Sequence, residues 1–410
     1  MRKPSALVVS YAFPPMAYPQ SIQVPRFVDM LGVSAVVVSG EDPMERCDET
    51  IAPDIEERVE RILRVPFRRT LFQRRMDGLG ERLYLGWANL PDPYRGWVYR
   101  AERWVESWQW ETGFRPDLLI TFGMPMSDHL FGLRYKRRTG CPWIAHFSDP
   151  WSDNPFRRDN LLTAWLNRHM EGWVIEKADV VVFTSSETLD LVMRKYPSRW
   201  RKKAFVIPHA FDRRRFDPAL LPPEGLYTIR YIGNFYGPRS PRPLLEAIER
   251  LAREEPALLD GVAVEFIGSM GRHRNLLQRY PVAGRLVSFR GMVSYTESLR
   301  LMQTAHCLLV IDAPAKVSVF FPSKLVEYIG SNRFILAISP RGTTARVVRE
   351  VGGLVVDPND VMAVTEGLRK VLKERPWNRS GSGDRYEKSR VLPEVERLKE
   401  FVLQRKGVVH

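Results

Sequence analysis

Cysteine is scarce. The chain of 410 residues has three, Cys47, Cys141 and Cys307, scattered and without the paired spacing of a metal site. That usage excludes a disulfide scaffold, fits a reducing cytoplasm and leaves the thiols a structural role. Long apolar runs are also missing. No stretch approaches the roughly 18 residues that a transmembrane helix needs. The first apolar run, Ala6-Leu7-Val8-Val9-Ser10, is far too short for a signal peptide and reads as a first β-strand. No short-period repeat or low-complexity tract is evident. Acidic residues are outnumbered, 48 against 62 basic ones, for a formal net charge of +14. A charge of that size points to an anionic partner: a membrane surface, nucleic acid or a phosphate-bearing substrate.

What is present is ordinary in amount and regular in order. Hydrophobic residues make up 44% and charged residues 27%, as in soluble globular proteins. The length predicts two to three domains. Short apolar strand candidates recur at Ala6–Ser10, Ala35–Ser39, Leu118–Thr121, Trp143–His146, Val180–Thr184 and Phe205–Ile207, separated mostly by longer amphipathic stretches. A second series follows at Ile229–Ile232, Val262–Ile267, Leu286–Phe289, Cys307–Ile311, Phe334–Ile338 and Leu354–Val356. Strands alternating with helices are the pattern of βαβ units and a largely parallel sheet. The fold class is therefore α/β, with two doubly wound, Rossmann-like domains expected to face a central ligand cleft. The first is placed at 1–207 and the second at 224–384. Between them, 208–223 is rich in Pro, Arg and Asp and reads as a linker. A last segment, 385–410, carries a helix predicted over Val391–Gln404, with Leu392, Val395, Leu398, Phe401 and Val402 near one face.

One region breaks the rhythm. Residues 58–111 read as a helical insertion dense in Arg, Trp and Tyr, including Arg68, Arg69, Arg74, Arg75, Trp87, Trp97, Trp104, Trp108 and Trp110. Basic residues among aromatics suit single-stranded nucleic acid or an anionic bilayer surface. They suit equally a subdomain whose aromatics are core and whose arginines are solvated. Membrane contact is favoured over nucleic acid, which is not expected as a partner.

The most informative stretch is Phe321-Pro322-Ser323-Lys324-Leu325-Val326-Glu327-Tyr328-Ile329-Gly330, followed by the apolar run Phe334–Ile338. It reads as loop, short helix and buried strand. Ser323 is placed to cap the helix, so that free first-turn N–H groups lie beside Lys324 and suit a phosphate. Glu327 follows one turn later on the same face. Read alone, a capped amphipathic helix with one exposed Lys–Glu pair is the favoured reading, because capped helices are common. Other elements join it. The first strand ends in Tyr11-Ala12-Phe13-Pro14-Pro15, with Ser21 opening a helix, and lacks a GxGxxG pattern. Pro142-Trp143-Ile144-Ala145-His146-Phe147-Ser148-Asp149-Pro150-Trp151 puts a His and an Asp at the end of a buried strand, with Asp153 a weaker third polar candidate. Ile207–Asp212 closes the first domain. Tyr231-Ile232-Gly233-Asn234-Phe235-Tyr236-Gly237-Pro238-Arg239-Ser240-Pro241 follows the first strand of the second, with glycines that allow close approach and Arg239 as a phosphate clamp.

With these blocks in this order, and with Arg346–Asp357 carrying Gly352-Gly353, the chain resembles the two-domain GT-B glycosyltransferases, specifically the retaining family 4, over nearly its whole length. The resemblance implies transfer of a sugar, with retention, from a nucleotide diphosphate sugar to a lipid-linked or saccharide acceptor, as in surface polysaccharide or glycoconjugate synthesis. It implies no cofactor beyond that co-substrate and no metal; no Asp-x-Asp motif is evident. The implied diphosphate residues are Gly233, Asn234, Arg239, Arg242, Ser323, Lys324 and Leu325; Gly268 and Glu327 fall to the nucleoside and ribose. His146, Asp149 and Glu327 are the implied catalytic residues, and Pro15 and Ser21 lie in the first-domain loop. Asp149 alternatively caps the turn before Pro150, and His146 is alternatively a satisfied core residue. Three positions depart from the family pattern: Val319 replaces the first Glu of its Glu-x7-Glu motif, Asn234 its Arg, and Ser240 its Lys. Arg239 or Arg242 is available to supply the missing charge. The implied terminal helix crosses back to the first domain, and the implied location is the cytoplasm, at the inner face of the plasma membrane if the bilayer contact holds. An epimerase or hydrolase of the same fold would use the same donor. A non-catalytic nucleotide-sugar-binding or membrane-associated scaffold would keep the fold without transfer.

Overall fold

The computed structural model describes residues 2–68, 75, 90–157 and 159–404. The chain divides into two compact units, one of Met1–Pro208 with Leu392–His410, the other His209–Val391. Each is built on one parallel sheet. The first sheet has seven strands: β1 (Ser5–Val9), β2 (Ser34–Glu41), β3 (Arg61–Pro66), β4 (Leu118–Phe122), β5 (Trp143–Phe147), β6 (Val180–Phe183) and β7 (Ala204–Val206). Their spatial order is β3-β2-β1-β4-β5-β6-β7. The second has six: β8 (Tyr227–Ile232), β9 (Val262–Ile267), β10 (Val287–Arg290), β11 (Cys307–Ile311), β12 (Phe334–Ile338) and β13 (Leu354–Val356), in the order β10-β9-β8-β11-β12-β13. Both are doubly wound. The order reverses between β1 and β4 in one sheet and between β8 and β11 in the other, and it is at the carboxyl ends beside such a reversal that doubly wound sheets bind ligands.

The strands form where they do because helices cover both faces of a parallel sheet, so its central strands are mostly apolar. Every residue of β1, β4, β5, β8 and β11 is buried. The registers are simple: Val8 lies between Val37 of β2 and Ile120 of β4, and Cys307 of β11 between Ile229 of β8 and Phe334 of β12. Helix ends follow local chemistry. Gly32 closes Pro19–Leu31 in the left-handed region, at φ 61°, where a side chain would be strained. Asn160 opens Leu161–Lys177 by accepting the Thr163 N–H.

Three sequence expectations change. The segment 58–111 is not helical throughout, because it opens with β3, the edge strand of the first sheet. Its Leu63 and Val65 face the core, while Arg61 and Arg64 suit an edge that must not pair further; those arginines hid the alternation. The aromatics of the segment also divide. Trp97 is fully buried against Tyr11, whereas Trp104 and Trp110 are exposed. Arg69, Arg74 and Trp87 lie outside the described residues. The strand expected at Leu286–Phe289 is displaced by one residue. The terminal helix begins at Lys388 rather than Val391. Its later part packs in the first unit: Lys399 Nζ donates to Leu31 O at 2.9 Å, and the Phe401 ring lies 5.3 Å from that of Phe205.

Candidate functional site

The helix Ser323–Gly330 stands directly before β12, and its first turn lies beside the end of β8. Tyr328 anchors it: its hydroxyl accepts the Ile232 N–H at 2.9 Å, at the last residue of β8. Lys324 is half-buried as a residue, yet its Nζ is shielded from solvent and has no hydrogen-bond partner. That ammonium sits 3.8 Å from the centre of the Tyr231 ring, a cation–π arrangement. It also lies against Gly233, where a Cβ would come within 3.1 Å of it. Burial pushes the Lys324 pKa well below the lysine range; Arg239 adds to that, and Asp312 opposes it.

Around this amine the backbone of two loops is bare. Gly233 follows β8 with φ 148°, and Gly268 follows β9 with φ 126°. A Cβ on Gly268 would meet Gly233 O at 2.3 Å, so only glycine permits that approach. Asn234 ties the loops together, its Oδ1 accepting the Ser269 N–H at 2.8 Å. The Arg239 guanidinium lies 3.6 Å from Asp312 Oδ1, donates to the Tyr236 hydroxyl at 2.9 Å and stacks over the Tyr236 ring. Asp312 stands at the end of β11 and accepts from Ser339 Oγ at 2.9 Å. The ends of β8 and β11, where the strand order reverses, thus hold an arginine, a buried lysine amine and one carboxylate.

Not every expected residue belongs here. Ser323 does not cap the helix: Pro322 occupies the cap, without a side-chain bond, and Ser323 is the first helical residue. The Leu325 N–H is already taken by Pro322 O at 2.9 Å and its side chain is core, so it has nothing to offer an anion. Asn234 is engaged in holding a loop through its amide oxygen. Arg242 is exposed and lines, with Arg272, His273 and Arg279, a separate cavity of about 450 Å³. Glu327 is buried one turn beyond Lys324 and accepts from the Tyr295 hydroxyl at 3.0 Å. Val319 is buried too, its carbonyl accepting from Thr343 Oγ1. Asp312 and Tyr295 were missed. An Asp immediately after a wholly apolar strand was the available signal for the first; nothing in the sequence linked Tyr295 to Glu327.

The first unit gathers polar groups at the ends of β4 and β5. His146 is buried between Phe27 and Phe122, ring centres 4.8 and 4.9 Å away, and its Nδ1 has no partner. Burial lowers its pKa to about 4, so it is neutral near pH 7. His129 accompanies it, hydrogen-bonded through Nδ1 to Thr121 Oγ1 at 2.7 Å, with Nε2 unpartnered and its pKa lowered to about 3 by burial. Trp143 Nε1 donates to the same Thr121 oxygen, so the threonine hydroxyl is free to donate to His129 Nδ1. Asp128 is buried, accepts the Tyr11 N–H at 2.8 Å, and is pushed well above the carboxylate range by burial. His129 and Asp128 escaped the sequence reading, although Ser127-Asp128-His129 opens a helix just after a buried strand. Asp149 is half-buried in the turn after β5. Asp153 pairs with Lys195 at 2.7 Å. Ser21 Oγ is buried without a partner, and Pro15 O accepts the Asp48 N–H. A second cavity, of about 750 Å³, includes Tyr135, Arg138 and Cys141 and lies at the amino ends of β4 and β5, away from these groups. Among the described residues no three His, Cys, Asp or Glu side chains are grouped to hold a metal ion.

The sheet order and the two clusters lead to the comparison with known proteins. A model described as a glycosyl transferase 4-like domain matches residues 29–210. That stretch, nearly all of it in the first unit, is similar to the domain. No curated protein sequence matches the chain. Solved structures do match it in fold. Sucrose-phosphate synthase from Thermosynechococcus elongatus superposes with TM-score 0.65 at 16% identity, covering 99% of this chain and 98% of that one. Anabaena HepE, in complex with UDP and glucose, gives 0.61 at 11% identity, covering 98% and 95%. An E. coli protein described as trehalose-6-phosphate, bound with UDP-2-fluoro glucose, gives 0.63 at 12%, covering 99% of both chains. The chain therefore has the two-domain GT-B fold of these neighbours.

Proposed function

We propose that this GT4-like chain is a glycosyltransferase that takes a sugar from a nucleotide diphosphate sugar. The observation that carries the reading is the Lys324 amine: buried, without a hydrogen-bond partner, against the bare backbone of Gly233 and within the field of Arg239. A buried cation without a bonded counter-charge is costly and calls for an anion. A diphosphate would bring its negative charge to Lys324 and Arg239 and would meet the first-turn N–H groups at Ser323. Glu327, one turn on, would accept from a ribose hydroxyl. The neighbours bound to UDP and to a UDP-sugar support a uridine donor for this chain.

In the reaction, the bond from the anomeric carbon to the donor phosphate oxygen breaks and one to the acceptor oxygen forms. Negative charge accumulates on the leaving diphosphate, where fixed cations lower the barrier most. The reading makes that stabilisation the work of Arg239, Lys324 and the helix start, with retention at the anomeric carbon and no metal required. In the first unit, His146 Nδ1 would accept from a sugar hydroxyl and Asp149 would orient donor or acceptor. The acceptor is proposed to be lipid-linked or saccharide, in surface glycoconjugate synthesis at the cytoplasmic face of the membrane.

The test is calorimetric titration of the purified chain with UDP, GDP and dTDP, followed by assay of the matching sugar donors with and without lipid-linked acceptor. Binding of one diphosphate and acceptor-dependent release of it are expected. No nucleotide binding would overturn the reading, and release independent of acceptor would make the chain a hydrolase.

A further inference from the structure

The helix Leu161–Lys177 is inside out. Over its first three turns the buried face is polar: Thr163, Asn167 and Glu171, four residues apart, are all fully buried, and only at its end do Val174 and Ile175 turn apolar side chains into the core. Each is satisfied there. Asn167 accepts from Trp151 Nε1 at 2.9 Å and donates to Asp159 at 3.0 Å. Glu171 accepts from the Ser152 N–H, from Lys195 at 2.8 Å and from the Tyr196 hydroxyl. The opposite face holds large apolar side chains in water. Leu161 is 92% exposed, Leu162 58%, Trp165 55% and Trp173 54%. At about 100° per residue, positions 161, 165, 169 and 173 form one stripe roughly 18 Å long, with Leu162 beside it. His169 fills the third place, its ring tilted against that of Trp165 with centres 4.0 Å apart. Arg168 is exposed on the same face.

Single exposed apolar residues are common, but a contiguous stripe on a helix whose inner face is already polar marks a contact surface. We propose that this stripe docks on a lipid bilayer carrying anionic phospholipid. The two tryptophans would sit at the headgroup level, Leu161 and Leu162 deeper, and Arg168 on lipid phosphates. Charge selects this occupant over a second copy of the chain. A net charge of +14 favours an anionic surface and opposes self-association. The surface differs from the Trp-containing segment 58–111 singled out in the sequence. There Trp97 is core, and the helix Arg95–Thr112 exposes Trp104 and Trp110 among Arg100, Arg103 and Glu106. The proposal does not depend on the glycosyltransferase reading, since a chain unable to bind nucleotide would dock equally well.

The experiment is co-sedimentation of the full chain with phosphatidylcholine vesicles, with and without phosphatidylglycerol, alongside light scattering of the free protein. Wild type is expected to bind the anionic vesicles and to be released by high salt. The W165S/W173S double variant, both positions exposed, should keep its circular dichroism and melting temperature while its partition coefficient falls by at least about tenfold. R168E should weaken binding to anionic vesicles. Absence of wild-type binding, or equal binding by the double variant, would overturn the proposal. So would a wild-type dimer that the double variant loses, which would assign the stripe to a second copy.

Discussion

Replacing Lys324 by Met should stabilise the ligand-free protein and cripple its affinity for nucleotide diphosphate. The Nζ atom makes no hydrogen bond, lies 3.8 Å over the Tyr231 ring and feels the Arg239 charge. Folding therefore dehydrates an ammonium group or strips its proton, and either costs free energy. The sign is fixed by the direction of the shift. A lysine with a lowered folded pKa binds fewer protons folded than unfolded, so stability rises with pH between the lowered value and about 10.4. Methionine keeps the stem and its contact with Tyr231, removes the charge and removes that slope. Binding moves the other way. A hydrogen bond to a charged phosphate contributes about 1.5–3 kcal/mol, so its loss weakens UDP by about tenfold to 150-fold. Differential scanning fluorimetry reads the first effect and titration calorimetry the second. Protonation on binding adds a third readout: affinity for UDP should fall as pH rises above the lowered Lys324 pKa, and the variant should lose that dependence. A lower melting temperature with unchanged UDP affinity would refute the reasoning and make Lys324 a structural residue.

Three further substitutions probe neighbouring parts of the sites. Glu327→Gln keeps the shape around the Tyr295 hydroxyl but removes the acceptor charge; donor affinity should drop about tenfold with little change in melting temperature. Asp312→Asn leaves Arg239 and Lys324 without their carboxylate, destabilising the free protein by up to about 3 kcal/mol. Saturating UDP should narrow that gap in a thermal melt, because phosphate charge replaces the lost one. His146, with its folded pKa lowered to about 4, binds fewer protons folded than unfolded below its ordinary value near 6.5. Stability should therefore fall as pH drops from 6.5 towards 4, by at most about 3 kcal/mol from this residue. His146→Leu should flatten that part of a urea-melt series and lower turnover; an unchanged acid slope would place the source elsewhere, with His129 the next candidate.

Strands buried on both faces announce themselves, because a parallel sheet demands apolar residues without alternation. Hence β1, β5, β11 and β12 were legible almost to the residue. The edge strand β3 was not, since Arg61 and Arg64 read as part of a basic helical segment. The Gly233 loop and the Lys324 helix could be read because glycine and a helix start have few other uses in that order. Their details could not. Whether Ser323 or Pro322 occupies the cap depends on one residue of helix phase, and propensity does not fix helix ends that closely. Asp312, His129 and Asp128 each follow an apolar strand in the sequence, but their grouping appears only when the sheet order brings the ends of β8 with β11, and of β1 with β4, side by side. The polar inner face of Leu161–Lys177 escaped for another reason: reading apolar residues inward would have placed Trp165 and Trp173 in the core.

The two units carry the same kind of unmet group in opposite electrical states. At the ends of β4 and β5, burial lowers both histidines far enough to keep them neutral and pushes Asp128 towards its protonated form. At the ends of β8 and β11, an arginine and a lysine amine share one carboxylate. Neutral hydrogen-bonding groups suit sugar hydroxyls, which carry no charge for an ion pair. Clustered cations suit a diphosphate, whose charge grows as the sugar leaves. The sequence resemblance would expect Glu at 319 and Lys at 240, where the chain has Val319 and Ser240. Lys324 and Arg239 stand at the reversal of the second sheet regardless, so the charge that a departing diphosphate needs remains in place. Val319 removes a carboxylate from the loop before the helix, and the carboxylates left near the amine are Asp312, set against Arg239, and Glu327, held by Tyr295. With Asn234 in place of an Arg as well, the three departures remove one carboxylate and two cations, so the positive charge of this cluster rests on Arg239 and Lys324. A chain that had lost the donor would have no use for a buried lysine amine held without a partner.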